Sequence, residues 1–152
     1  SIGLVGSEMC IRDRILDEGG NWKGCGTALK MAEEGHQVVL ITPDPLVGKE
    51  LQRTAADYPL RQKLAQLGVR FILESAITRW TPQGAEILSF LDGSTSFVEA
   101  DSLVFATPNL AEDTLARELE DSGLKFLNIG DSAGPRQAPF VISEARRVAL
   151  EI

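Results

Sequence analysis

The sequence predicts an α/β fold: a parallel sheet with helices, joined to an antiparallel β-meander. Three observations predict it. Strand, glycine-rich turn, helix, glycine and strand succeed one another from Ile15 to Thr42, which is a βαβ unit. Short β segments separated by turn signals run from Ile77 to Val98. A buried type of strand, Ser102 to Ala106, returns after them, and helical patterns follow.

Ile15-Leu16 reads as a strand end running into the turn Asp17-Glu18-Gly19-Gly20-Asn21. Gly24 to Glu34 reads as a helix, with Ala28, Leu29, Met31 and Ala32 as its apolar stripe and Gly35 as its stop. Gln37 to Thr42 is short, continuous and β-branched, the pattern of a strand covered on both faces. Pro43 and Pro45 end it. Val47 to Pro59 is polar and carries no clear period. Leu60 to Leu67 predicts a helix closed by Gly68, and Val69 to Leu73 a third strand. The meander comprises Ile77 to Trp80, Ala85 to Leu91 and Ser96 to Val98, with turns at Pro82-Gln83-Gly84 and Asp92-Gly93. Asp113 to Ser122 predicts a helix, Phe126 to Ile129 a last strand, and Gln137 to Leu150 the final helix.

Composition narrows the function classes. Hydrophobic residues make up 43% of the 152-residue chain and charged residues 24%, an ordinary globular balance. Twenty-two acidic residues against 15 basic ones give a formal charge of -7. That field repels phosphate backbones and argues against nucleic acid as a partner. No run reaches the roughly 18 apolar residues of a membrane helix. Two cysteines, Cys10 and Cys25, make no disulfide framework and fit a reducing cytoplasm. A homo-oligomer is left open.

Residues 4–14 read LVGSEMCIRDR, the string a sequencing-library adapter gives when translated. The alternative is a genuine segment with a strand at Ile2, Leu4 and Val5. On the adapter reading Met9 is no biological start and Cys10 carries no chemistry. Authentic sequence then enters at about Ile15, and residues 1–14 form no native element. At most, part of Asp13 to Leu16 is recruited to complete a shortened first strand.

The candidate site is the turn Gly19-Gly20-Asn21-Trp22-Lys23-Gly24. A dinucleotide turn needs glycine for the tight bend, for close approach to the pyrophosphate, and for helix–strand packing. Gly19 and Gly24 fill the first and third places; Asn21 stands in the second, where a side chain crowds a pyrophosphate. An acid at the end of the next strand would hold the ribose, and that place is Thr42; the nearest acid, Asp44, lies beyond Pro43. These two departures argue against NAD(P)H here. A βαβ unit binding no nucleotide at this turn fits equally well. By this logic Asn21→Gly together with Thr42→Glu would restore NADH affinity.

Two passages carry a family resemblance. ALKMAEEGHQVVLIT is common to flavoproteins with two dinucleotide domains, and TPDPLVGKELQRTAADYPLRQKL narrows the match. Together they resemble the C-terminal region of NADH:flavin oxidoreductases of the trimethylamine dehydrogenase and 2,4-dienoyl-CoA reductase type, relatives of old yellow enzyme. The resemblance implies a Rossmann-like FAD/NAD(P)-binding fold with parallel sheet and meander. Residues 15–104 would be the NAD(P)-type domain, its first strand truncated. Residues 105–152 would be the C-terminal half of a domain holding FAD or ADP. It also implies a missing N-terminal barrel carrying FMN and a 4Fe–4S iron–sulfur cluster, with the catalytic residues. Electrons would pass between flavin and NAD(P)H or a reduced amine or enoyl substrate. The alternative is a scaffold that has lost its NAD site and holds ADP or no nucleotide.

Two further motifs fit that resemblance. Ala106-Thr107-Pro108 is similar to the Ala-Thr-Gly at which the chain of such flavoproteins returns to the FAD-type domain, with Pro108 in place of glycine. Asn128-Ile129-Gly130-Asp131 is similar to their strand-turn beside FAD, so Gly130 and Asp131 are cofactor candidates; an ordinary helix entry is the alternative for Asp131. His36 reads as a turn residue with no Asp–Ser or metal constellation. Cys25 reads as a small residue packed on the sheet rather than an activated thiol. Trp22 either stacks on an adenine or lies over a blocked cleft. Lys49, Arg53 and Arg61 read as a solvated polar face rather than phosphate ligands.

Overall fold

The computed structural model describes residues 11–151. Two compact units divide the chain between Thr107 and Pro108.

The first unit begins with β1 (Arg12–Asp17), α1 (Trp22–Glu33) and β2 (Gln37–Ile41). A 3-10 helix, Lys49–Thr54, fills the stretch whose pattern was unclear, and α2 (Asp57–Gln66) and β3 (Arg70–Ile72) follow. The meander is β4 (Ser75–Thr81), β5 (Gly84–Ser89) and β6 (Thr95–Glu99), and β7 (Ser102–Ala106) completes the unit. The parallel sheet has the order β3-β2-β1-β7, with Ile15 opposite Leu40 on one side and Val104 on the other. The chain leaves β1 toward β2 and β3, then returns to the other side of β1. Open α/β sheets bind ligands at the carboxyl ends of strands where the order reverses, and here that is the turn after Asp17.

One face of the sheet packs on the helices: Ile15, Val38, Leu40 and Ala106 meet Cys25, Ala28, Leu60 and Leu64. The other face is covered by the meander, where Leu16, Val39 and Ile41 meet Ile87. Two covered faces explain why Val38-Val39-Leu40-Ile41 is continuously apolar. Gly84, at φ +150°, enters β5 where a Cβ would lie 2.2 Å from the Val98 carbonyl oxygen, so only glycine passes there.

Three expectations need correction. Residues 1–10, which include the first seven of the adapter-like string, lie outside the described residues. Arg12 to Arg14, however, pair with β2 and β7 inside the central strand, so the first strand is six residues long. Polar side chains are tolerated there because neighbours satisfy them. Asp13 accepts from the Ser102 hydroxyl and meets the His36 ring at Nδ1, 2.5 Å away. The Arg14 guanidinium donates to the carbonyl oxygens of Asp13, Gln37 and Glu99. Secondly, His36 therefore does sit in an Asp–Ser constellation. Its wiring puts Asp13 between Ser102 and His36, so the imidazole does not meet the hydroxyl and the three do not form a nucleophile–histidine–acid relay.

The third correction lies in the second unit, which holds α3 (Thr114–Asp121), a 3-10 turn at Gly130–Ser132, and α4 (Ala138–Ala149). Phe126 to Ile129 is not a strand. A strand is defined by pairing, and among the described residues none runs beside it. Neither α3 nor α4 has a buried residue; Leu115, Leu127, Phe140 and Ile142 stay exposed.

Candidate functional site

Asn21 is the N-cap of α1, and its Oδ1 accepts the Lys23 N–H at 2.8 Å. This explains why the helix starts at Trp22, two residues before the sequence pattern suggested. Trp22 is exposed, and its ring comes within 3.9 Å of where a Cβ on Gly26 would stand.

The residue that organises the turn is Asp17, which the fingerprint logic passed over. Its side chain is fully buried at the end of β1. Oδ1 accepts the N–H groups of Gly19 at 3.2 Å and Gly20 at 3.0 Å. Oδ2 lies 3.7 Å from the Cys25 thiol. A Cβ on Gly24 would come within 2.4 Å of the Asp17 Cγ, so the third glycine makes room for this carboxylate. Burial raises the Asp17 pKa, the neighbouring Asp44 adds to the rise, and the two N–H groups and the thiol oppose it. Burial and Asp17 together push the Cys25 thiol up to about 12, which fits the packing role expected of it.

Gly20 takes φ +59°. A side chain there would press on Lys49 and on the Asp44 carboxylate, and the Gly20 carbonyl accepts the Glu50 N–H at 2.8 Å. Asp44, Lys49 and Glu50 therefore lie against the turn at Gly20. Lys49 is tied to Asp44 at 2.6 Å, Arg53 to Glu50 at 2.9 Å and Arg61 to Asp57 at 2.9 Å. Those cations are neutralised internally. Thr42 is buried, and its Oγ1 accepts the Asp44 N–H at 3.2 Å. Position 42 therefore points into the protein.

In the second unit Gly130 has φ +74° and its N–H donates to Glu144 Oε2 at 3.1 Å. That bond, with Arg136, holds the Glu144 carboxyl below its ordinary range. Asp131 is exposed. The α4 N-terminus lies at Ala138, well beyond Asp131, so the two do not form one turn. Elsewhere, a groove of about 480 Å³ is lined by Gly35, His36, Gly68 and Arg70. It lies at the amino ends of β2 and β3, opposite the glycine turn. Among the described residues no cluster of His, Cys, Asp and Glu could hold a metal ion, and no helix is long and apolar enough to cross a membrane.

No family model matches the chain. A curated relative, NADH oxidase from Thermoanaerobacter brockii, is 24% identical over 141 residues, 92% of this chain and 21% of its own length. The structure of histamine dehydrogenase from Rhizobium sp. 4-9 matches 93% of this chain with a TM-score of 0.80 and 24% identity, over 23% of that chain. The HOCl-induced flavoprotein disulfide reductase RclA from Escherichia coli matches 93% with a TM-score of 0.60 and 18% identity, over 36% of its length. The fold is shared with the matched regions of these structures. The fold class and the resemblance read from the sequence are both borne out. The chain spans about a fifth of the length of the curated relative it matches.

Proposed function

We propose that this chain is the dinucleotide-fold region of a larger flavin-linked oxidoreductase, and that it supports electron transfer without taking NAD(P)H at the turn after β1. In this reading residues 15–104 form the NAD(P)-type domain and residues 105–152 half of a domain for FAD or ADP. FMN, a 4Fe–4S cluster and the catalytic residues belong to a barrel elsewhere in the protein. Electrons then enter from a reduced amine or enoyl substrate at that barrel. The scaffold alternative is favoured for the turn itself. The observation that carries it is Thr42: the place that should offer a carboxylate to the ribose is buried, neutral and committed to the Asp44 N–H. Asp131, exposed in the second unit, remains suited to a sugar hydroxyl of FAD or ADP.

The test is hydrogen–deuterium exchange on the intact protein with and without saturating NADH or NADPH, beside its flavin absorbance. The expected result is a bound-flavin spectrum and no nucleotide-dependent protection of residues 17–24 or 42–50. A protein with no flavin would overturn the oxidoreductase assignment. Protection of those segments would overturn the closed-turn reading.

A further inference from the structure

We propose that Asp17 is the residue that closes the glycine turn to nucleotide phosphate, by putting its own carboxylate where a phosphate would bind. This rests on the reading above and names the group responsible. A glycine turn at a helix N-terminus binds phosphate because backbone N–H groups converge on it and the helix dipole favours negative charge. Here two of those donors, from Gly19 and Gly20, end on Asp17 Oδ1, and a third, from Lys23, ends on Asn21 Oδ1. An anion entering the turn would have to displace bonds already made inside the protein.

Space and charge point the same way. Asp17 is fully buried between β1 and α1, and the absence of a side chain at Gly24 is what lets it lie there. Asp44 stands beside Gly20 with Oδ2 buried and without a hydrogen-bond partner. Lys49 neutralises Asp44, and Glu50 pairs with Arg53, so the cations lining this side are engaged. A phosphate would meet two carboxylates where a binding turn offers N–H groups alone.

Asn21 is the lesser obstacle. Asn21→Gly releases one N–H and no charge, whereas Asp17→Ala releases two donors and a carboxylate. Asp17→Asn keeps an acceptor of the same shape without the charge.

The experiment uses the intact protein, with ADP and inorganic pyrophosphate as probes and hydrogen–deuterium exchange of residues 17–24 as the local readout. In the unaltered protein the Gly19 and Gly20 amides should be protected, and neither probe should change them. In Asp17→Ala the segment should exchange faster, and each probe should slow it again, with affinity up by about tenfold or more. Asp17→Asn should show a smaller rise. If the unaltered protein is protected by the probes, both this inference and the closed-turn reading fail. If it is silent and folded Asp17→Ala is silent too, the inference fails while the reading stands. Should Asp17→Ala not fold, Asp17→Asn decides: no rise in probe affinity overturns the proposal. Rapid exchange of Gly19 and Gly20 in the unaltered protein also overturns it.

Discussion

Gly24→Ala tests the packing of α1 on Asp17 directly. The new Cβ would fall 2.4 Å from Asp17 Cγ, 2.6 Å from Oδ1 and 2.8 Å from Cβ, where ordinary contact begins at 3.4 Å. Relief requires a shift of about 1 Å. Either α1 lifts off β1, or Asp17 swings out and abandons Gly19 and Gly20. Overpacking of this kind costs about 1–3 kcal/mol. Losing a buried acceptor costs about 1–3 kcal/mol for the donors left behind. The two routes are alternatives, so the net expectation is a loss of about 1–3 kcal/mol. Urea unfolding followed by far-ultraviolet circular dichroism measures it. Asp17→Ala removes the obstacle, so the Asp17→Ala, Gly24→Ala double variant should be less destabilised than the sum of the singles by about 1–3 kcal/mol. A Gly24→Ala variant within about 0.5 kcal/mol of the parent, or costs that merely add, would refute the reasoning.

Three further outcomes follow from the same geometry. Because burial raises the Asp17 pKa, its contribution to stability is complete below the ordinary value of 3.8 and is lost as pH rises through the raised value. Asp17→Asn does not titrate, so its stability relative to the parent should improve as pH climbs from 3.8 toward neutrality; a pH-independent difference in melting temperature would contradict this. Asn21→Gly with Thr42→Glu, which the sequence alone suggests as a restoration, should give no gain in NADH affinity by calorimetry. Position 42 faces inward and Asp17 still holds the turn, so a clear gain would sink that account. Cys25, buried and raised to about 12, should resist a thiol reagent at neutral pH until the chain is unfolded in urea, and rapid labelling of the folded chain would show the site to be open.

The legible parts of the fold were those set by local pattern. The run Val38-Val39-Leu40-Ile41 marked β2, Gly35 and Gly68 marked the helix ends, and Gly84 and Gly93 separated the meander strands. The candidate turn was legible as a place, and Gly19, Gly20, Asn21 and Gly24 do come together there with Asp17. The neighbouring strand ends at Ile41, one residue earlier than expected, and the Thr42 side chain that follows it is turned inward. Asp17 falls outside the fingerprint because that pattern is defined by glycines and by an acid after β2. The available signal was an acidic residue at the very end of β1, just before two glycines.

By itself, then, the sequence determined which segments could be helix or strand and where the chain had to turn. Those are properties of neighbours along the chain: side-chain period, glycine freedom and proline geometry. Tertiary structure decided which partner each polar group met. Asp13 and Arg14 became acceptable in the central strand only when Ser102, His36 and the Glu99 carbonyl arrived from distant segments. Phe126 to Ile129, with no adjacent strand among the described residues, did not become one. The Asp17 carboxylate meets the Gly19 and Gly20 N–H groups beside α1, in space that Gly24 leaves open. Strand pairing and hydrogen-bond satisfaction are fixed by which segments cross in space, and no local pattern encodes that.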